Sequence, residues 1–304
     1  MRDVIIALLP ALLVSALVYG WSEIGIICVS AASCVAIEWA ITRYLMGGKN
    51  FCALPSLVTG LLLAMNLPSS TPLWIVLIGA LFAIGVVKMS FGGLGQNIFN
   101  PAIAARVFLL ISFPRQMTDW SATRGFITIP DAVSGATLLE EYGEGGMKAL
   151  EGAGFVPGEF ASLMSITDIG GSAGEISTIA LLLGFAYLLV RKVVKPWIPL
   201  SIFATVAAFS GIFSLIDPAT YTGPMFNLLT GGIVLGACFM ATDYVTSPMT
   251  TLGGVIYGVG IGLIVMLIRY FGAYPEGMSF AILIMNAFVP VIDRFVHRRK
   301  FGRA

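Results

Sequence analysis

The chain has 304 residues, of which 58% are hydrophobic and only 11% charged, with a net charge of +1 and a mean hydropathy of +0.94. Soluble domains carry about 25% charged residues, so water is excluded as the main solvent, and so near-neutral a balance argues against nucleic acid or an acidic ligand as partner. The single histidine, His297, lies in the C-terminal tail and excludes haem held by paired histidines within a membrane. The apolar residues fall in runs of about 16–20, close to the ~20 needed to cross a ~30 Å hydrocarbon core.

Ten spans are expected, at 4–19, 23–42, 55–67, 72–89, 97–113, 177–194, 197–216, 225–241, 252–271 and 278–296. The first has the charged start and apolar run of a signal peptide but no small-x-small cleavage site, and is read as an uncleaved helix. Span three is bracketed by Pro55 and Pro68, which leaves about 18 Å of helix, short of the membrane core. Its counterpart, span eight, runs into the helix-stopping sequence Ala241-Thr-Asp243-Tyr-Val-Thr-Ser247-Pro248. The two halves share patterns. Leu57-Val-Thr59-Gly60 matches Leu228-Leu-Thr230-Gly231, and Asn97-x-Phe99-x-Pro101 matches Asn286-x-Phe288-x-Pro290. The expected fold class is an all-α polytopic membrane protein. Its ten transmembrane helices form two inverted five-helix repeats with short or broken helices, and one extracytoplasmic loop joins them. Short or interrupted segments at matching places in two repeats point to a midplane binding site. The divisions are 1–113, 114–176 and 177–304.

With both termini cytoplasmic, that side holds 12 of the 17 basic residues, Arg43, Lys88, Arg191 and the Arg298-Arg299-Lys300 tail among them. Arg115, Arg124, Lys148 and Arg269 fall on the other side. The 114–176 loop carries nine acidic against three basic residues, net −6, and is placed outside the cytoplasm. Cys28, Cys34, Cys52 and Cys238 show no CxxC spacing and read as small buried apolar residues, with a four-Cys iron–sulfur or zinc site open only where distant helices converge; if the chain handles electrons, an organic cofactor carries them.

Charges inside spans cost about 2.5–3.5 kcal/mol each on insertion scales. Arg106, mid-span in span five, is a candidate for touching a cofactor or for neutralising a buried acid. Glu38 in span two and Asp243 at the end of span eight are the candidates for an ion path, against snorkelling or helix capping. Asp293 and Arg294 lie at the membrane edge. The glycine-rich run Gly170-Gly-Ser172-Ala-Gly174-Glu175-Ile-Ser177 offers backbone N–H groups to an anion, although Glu175 opposes a phosphate. In the outer loop, Asp131-Ala-Val-Ser134-Gly135-Ala136-Thr137 leaves a threonine hydroxyl open among small residues. Taken alone, it is an exposed turn.

That last segment resembles the acceptor motif of flavin transferases, D-x-x-[ST]-G-A-T, in which FMN is joined through its phosphate to the final threonine. Phe91-Gly-Gly-Leu-Gly95-Gln-Asn97-Ile-Phe-Asn100-Pro101-Ala102 and Phe239-Met-Ala-Thr242-Asp243 add to the likeness, which covers nearly the whole chain. The chain resembles the family comprising the D-type member of the Rnf electron-transport complex and the B-type member of the sodium-pumping NADH:quinone reductase. The latter carries an extension before its first span, so the Rnf branch is expected. The resemblance implies covalent FMN on Thr137, with Asp131, Ser134, Gly135 and Ala136 recognised by an extracytoplasmic flavin transferase. It also implies a bacterial inner-membrane subunit of a ferredoxin:NAD oxidoreductase moving Na+ or H+, with partner subunits of the A, B, C, E and G types. A riboflavin bound in the membrane region of the quinone-reductase relative extends the expectation to a non-covalent riboflavin near the broken spans. A small-solute permease or channel and a purely structural anchor are the competing readings; neither needs a flavin.

Overall fold

The computed structural model describes residues 1–47, 51–120, 139, 142, 171–218, 220–272, 274 and 276–296, and among them there is helix and no strand. In chain order the helices are α1 (Arg2–Tyr19), α2 (Trp21–Ala40), α3 (Ala53–Met65), α4 (Leu73–Leu81), α5 (Pro101–Ser112), α6 (Pro114–Met117), α7 (Thr178–Val190), α8 (Trp197–Ile216), α9 (Pro224–Leu229), α10 (Ile233–Leu235), α11 (Thr251–Phe271) and α12 (Met278–Phe295). Three of them widen at their C-terminal ends into π-helical turns: α2 into Ile41–Leu45, α4 into Phe82–Met89 and α10 into Gly236–Met240.

Five of the described helices or helix runs are long and apolar enough to cross a membrane: α1, α2 with its π turn, α8, α11 and α12. α3, α5, α7 and the α4 run are apolar but shorter. The outward faces are as apolar as the core, with Leu13 62% and Leu215 86% exposed. A helix bundle that is hydrophobic on all sides suits lipid, not water.

Local chemistry sets the boundaries. α5 starts at Pro101 and not at 97, because the Asn100 side chain accepts from the Ala102 (3.1 Å) and Ile103 (3.4 Å) N–H groups and Pro101 occupies the first helical position. Ser177 caps α7 by accepting from Ala180 N–H at 3.2 Å, and Thr250 caps α11 through Gly253 N–H at 3.0 Å. Span eight, expected to be continuous over 225–241, is split in two at 230–232.

The main interfaces are α8 with α11, α2 with α3, α1 with α7, and α11 with α12. With lipid outside, helices associate by close van der Waals approach at small residues. α7 meets α1 at Gly184, where an added Cβ would stand 2.0 Å from the Ala7 carbonyl oxygen. α11 meets α8 at Gly258, 2.8 Å by the same measure from the Ile198 carbonyl. Cys34 and Cys238 are buried as expected, whereas Cys28 and Cys52 are exposed; Cys28 lies on an outward face of α2.

Gly184→Val should force α1 and α7 apart at a cost of about 1–3 kcal/mol, read as a lower thermal unfolding midpoint of the purified chain in detergent. Gly25→Ala, whose new methyl would meet only Leu73 at 4.0 Å, should leave the midpoint unchanged.

Candidate functional site

Two polar centres lie at opposite ends of the apolar core. The far end is built around the break between α9 and α10. Gly231 (φ 67°) and Gly232 (φ 66°) carry the chain through the left-handed region that glycine alone adopts freely. Carbonyls freed by a broken helix in apolar surroundings must find donors, and Arg269 in the last turn of α11 supplies them. Its Nη1 donates to the Asn227 carbonyl at 2.7 Å, and its Nη2 to those of Thr230 at 2.7 Å and Gly231 at 3.3 Å. A Cβ at Gly231 would stand 2.3 Å from Arg269 Nη2 and 2.6 Å from Leu139 Cδ2, so the glycine is required by space as well as by backbone angle.

Around this break stand the other charges. Arg106, halfway along α5 and 2% exposed, donates from Nη2 to Glu276 Oε2 at 3.1 Å, and the Trp120 ring centre lies 5.8 Å from its guanidinium carbon. Arg106 Nη1, Glu276 Oε1 and Arg269 Nε are buried without a hydrogen-bond partner. Glu175, in the segment before α7, accepts from the Ser172 hydroxyl at 2.7 Å and lies against Gly232, where α10 begins. Burial pushes the Glu175 carboxyl up to about 8. The neighbouring charge of Glu276 adds to the shift, while Ser172 and Arg106 oppose it. The same segment is tied to α3 by Gly174 N–H donating to the Met65 carbonyl at 2.8 Å, and to α1 by the Tyr19 hydroxyl donating to the Gly171 carbonyl at 2.8 Å.

The near end, where Met1 lies, contains a cavity lined among others by Thr59, Lys88, Asn97, Asn100, Thr242 and Asp243. Glu38 forms its inner brace, accepting from Lys88 Nζ at 2.5 Å and from the Ser56 hydroxyl. The Thr246 hydroxyl donates to Asp243 Oδ2 at 3.2 Å. Asn100 Nδ2 donates to the Met240 carbonyl at 3.2 Å. The Asn286 amide, oriented with its NH2 toward the Thr246 carbonyl (3.2 Å) and the Tyr257 hydroxyl (2.6 Å), accepts from Asn100 N–H at 3.1 Å. The Asn97 and Asn286 patterns that match in sequence therefore take different local structures: one precedes α5, and the other lies inside α12.

Of the residues singled out in the sequence, Arg106 is buried and pairs with the half-buried Glu276, Glu38 forms a buried ion pair, and Asp243 borders the near-end cavity. Asp131, Ser134, Gly135, Ala136 and Thr137 lie outside the described residues. Leu139 and Tyr142, shortly after them, are described and buried. Leu139 packs at Gly231, and the Tyr142 hydroxyl donates to the Thr220 carbonyl at 3.0 Å while its ring meets those of Phe226 and Tyr270. Two basic residues assigned to aqueous sides are buried instead: Lys88 at 2% and Arg269 at 6% exposed. Glu276 gave no sequence signal of its own. The anion-receiving run at 170–177 holds the acid Glu175.

A family model described as the NQR2, RnfD, RnfE family matches residues 1–302. In Acetobacterium woodii, the D-type member of the Na(+)-translocating ferredoxin:NAD(+) oxidoreductase complex is 41% identical to this chain over 99% of its length, which covers 90% of that protein. In Stutzerimonas stutzeri, the D-type member of an ion-translocating oxidoreductase complex is 40% identical over the whole of this chain and 91% of the relative. The D-type member of the proton-translocating ferredoxin:NAD(+) oxidoreductase complex of Clostridium ljungdahlii shares 39% identity over 99% of this chain and 91% of its own length.

Arg106→Ala strands the Glu276 carboxylate. It should cost about 3 kcal/mol, the lower end for a broken buried pair, because the Glu276 side chain keeps 18% of its surface accessible. In a Glu276→Gln background most of that penalty should vanish, and a double-mutant cycle on unfolding in detergent reads the difference.

Proposed function

The chain belongs to the NQR2, RnfD, RnfE family, and on that footing we propose that it is the D-type membrane redox subunit of an ion-translocating ferredoxin:NAD oxidoreductase, carrying FMN as a phosphoester on Thr137. The observation that carries this reading is the end-to-end similarity to proteins named for that activity, together with the seven-residue acceptor pattern at 131–137.

The far end fits such a group. Leu139, two residues after Thr137 in the sequence, is buried and anchored on Gly231 at the helix break. Tyr142 makes a second anchor against α9 and α11. Two guanidinium groups with unpartnered N–H donors stand at this end of the molecule, Arg106 through Nη1 and Arg269 through Nε. An anionic phosphoester, and the carbonyl oxygens and ring nitrogens of an electron-accepting flavin, suit that donor set. Bound FMN supplies one- and two-electron chemistry. The chain's part is to tether it, which replaces reversible binding by a high local concentration, and to fix the surrounding positive charge.

The near-end cavity suits a second, non-covalent riboflavin. The Thr59 and Thr242 hydroxyls donate to the Pro55 (3.0 Å) and Cys238 (2.8 Å) carbonyls and keep lone pairs free, while Lys88 and Asn97 bring donors to the same wall. Lys88, the cation on this wall, is already paired with Glu38 and so does not call for a phosphate.

The proposed topology is ten spans in the bacterial inner membrane, with both termini in the cytoplasm and the 114–176 loop outside, within reach of a flavin transferase. The partner subunits are of the A, B, C, E and G types. The repeat reading is supported by packing: α2 lies on both α3 and α4, as α8 lies on both α9 and α11, and the first helices of the two halves, α1 and α7, face each other. Thr59 and Thr230 make the same bond to the carbonyl four residues back.

Peptide mass spectrometry of 125–148, from protein co-expressed with a competent transferase, should find FMN less water on Thr137. Thr137→Ala should lose it with the helices intact, and Asp131→Ala and Gly135→Leu should reduce it. An unmodified peptide would return the broken helices to the permease reading. Cysteines placed at 140–160 should react with an impermeant reagent in intact cells; reaction only after permeabilisation would reverse the topology.

A further inference from the structure

At the far end Glu175 and Glu276 stand near Arg106 and Arg269, and contact does not pair them evenly. The donors of Arg269 go to three backbone carbonyls of the helix break. Arg106 touches Glu276 through one nitrogen. Among the described residues Glu175 has no cation within ion-pair distance, and its neighbours are the Ser172 hydroxyl and the Glu276 carboxyl. Two neighbouring carboxylates, each half-buried and short of water, cannot both stay ionised cheaply. Glu276 Oε1, buried and without a partner, is a free acceptor of the kind a protonated neighbour would need. Glu276 also lines a small cavity with Arg106, Thr118, Trp120 and Tyr274, and it keeps 18% of its side chain accessible there.

We propose that Glu175 and Glu276 form a proton-binding site, holding one proton between their carboxyl groups and exchanging it with water through the cavity beside Arg106. A proton from hydronium adds to Glu175, whose new O–H donates to Glu276; Glu276 stays ionised, held by Arg106. The groups facing the pair from the surrounding elements are Arg106 of α5, Arg269 of α11 and Tyr19 of α1, with Glu23 of α2 beyond the tyrosine. A proton fits better than a metal cation, because Arg269 occupies the carbonyls of Asn227, Thr230 and Gly231 that would otherwise ligate one. The site's role in ion translocation rests on the proposed function; the binding of the proton does not.

The test uses the whole chain, made without a flavin transferase and placed in nanodiscs, so that a missing flavin leaves the result intact. Infrared difference spectra from about pH 6 to about pH 10, a window that brackets the raised carboxyl, should show a protonated-carboxyl stretch lost with a midpoint of about 8. With the other buried carboxyl near Tyr19 silenced by Glu23→Gln, Glu175→Gln should remove it. Glu276→Gln, which takes away the like charge, should lower the midpoint by about one unit or more. Because the raised value belongs to the folded state, the stability it reflects is complete below the ordinary carboxylate range and is lost as pH rises through about 8. In the Glu23→Gln background the thermal midpoint should fall across that interval, and adding Glu175→Gln should make it level. If Glu175→Gln does not accumulate, Glu175→Asp withdraws the carboxyl from its neighbour and must lower the infrared midpoint. No protonated carboxyl at neutral pH, a band unchanged in Glu175→Gln, a midpoint indifferent to Glu276→Gln, or a band that moves with Na+ at fixed pH would each overturn the proposal.

Discussion

The break between α9 and α10 strands backbone carbonyls where no water can reach them, and one guanidinium answers three of them. Much of the far end follows from that constraint. Arg269 must be buried, so it sits in the last turn of a helix packed against the break and not at a membrane surface. Gly231 must lack a side chain, because the guanidinium and Leu139 fill the space a Cβ would take. The segment before α7 must enter the same region, since its Glu175 closes the opposite side of the gap at Gly232. A continuous helix would need none of these residues; a broken one needs all of them at once.

The spans were legible in the sequence because apolar runs report directly on lipid as solvent. The runs at 197–216, 252–271 and 278–296 differ from α8, α11 and α12 by a residue or less at each end. The short span three was also legible, from two prolines. Arg106 stood out as a charge inside a span, and its guanidinium pairs with Glu276. What the sequence hid depends on burial that linear position does not encode. Lys88 and Arg269 lie near span ends and were assigned to aqueous sides, yet each is enclosed by partners from distant segments: Glu38 for one, the α9 carbonyls for the other. Glu276 sits in a short inter-helix loop and becomes a site residue only once α5 is folded against it. Span eight carried its helix-breaking glycines in plain view, but its apolar content masked them.

The two ends use charge differently. At the near end Glu38 and Lys88 form a closed pair braced by Ser56, and a cavity opens beside it. At the far end the charges are interlocked with backbone, and several donors and acceptors are left open. Leu61, Leu62 and Leu63 of α3, with Leu235 and Ala237, are buried in the apolar core, and Leu62 lines the near-end cavity as well.

The π-helical turn Phe82–Met89 has a consequence for how the chain tolerates length changes. Each residue of an α-helix advances about 100° around the axis, and the wide turn holds a surplus residue that sets the azimuth of everything after it. Lys88 faces Glu38 only with that surplus in place. Removing one residue of the turn ahead of Lys88, between Phe82 and Val87, would restore ordinary helical phase and swing Lys88 away by about 100°, parting the pair without altering either member. The register of this membrane protein is thus as much a part of its near-end chemistry as the identity of its side chains.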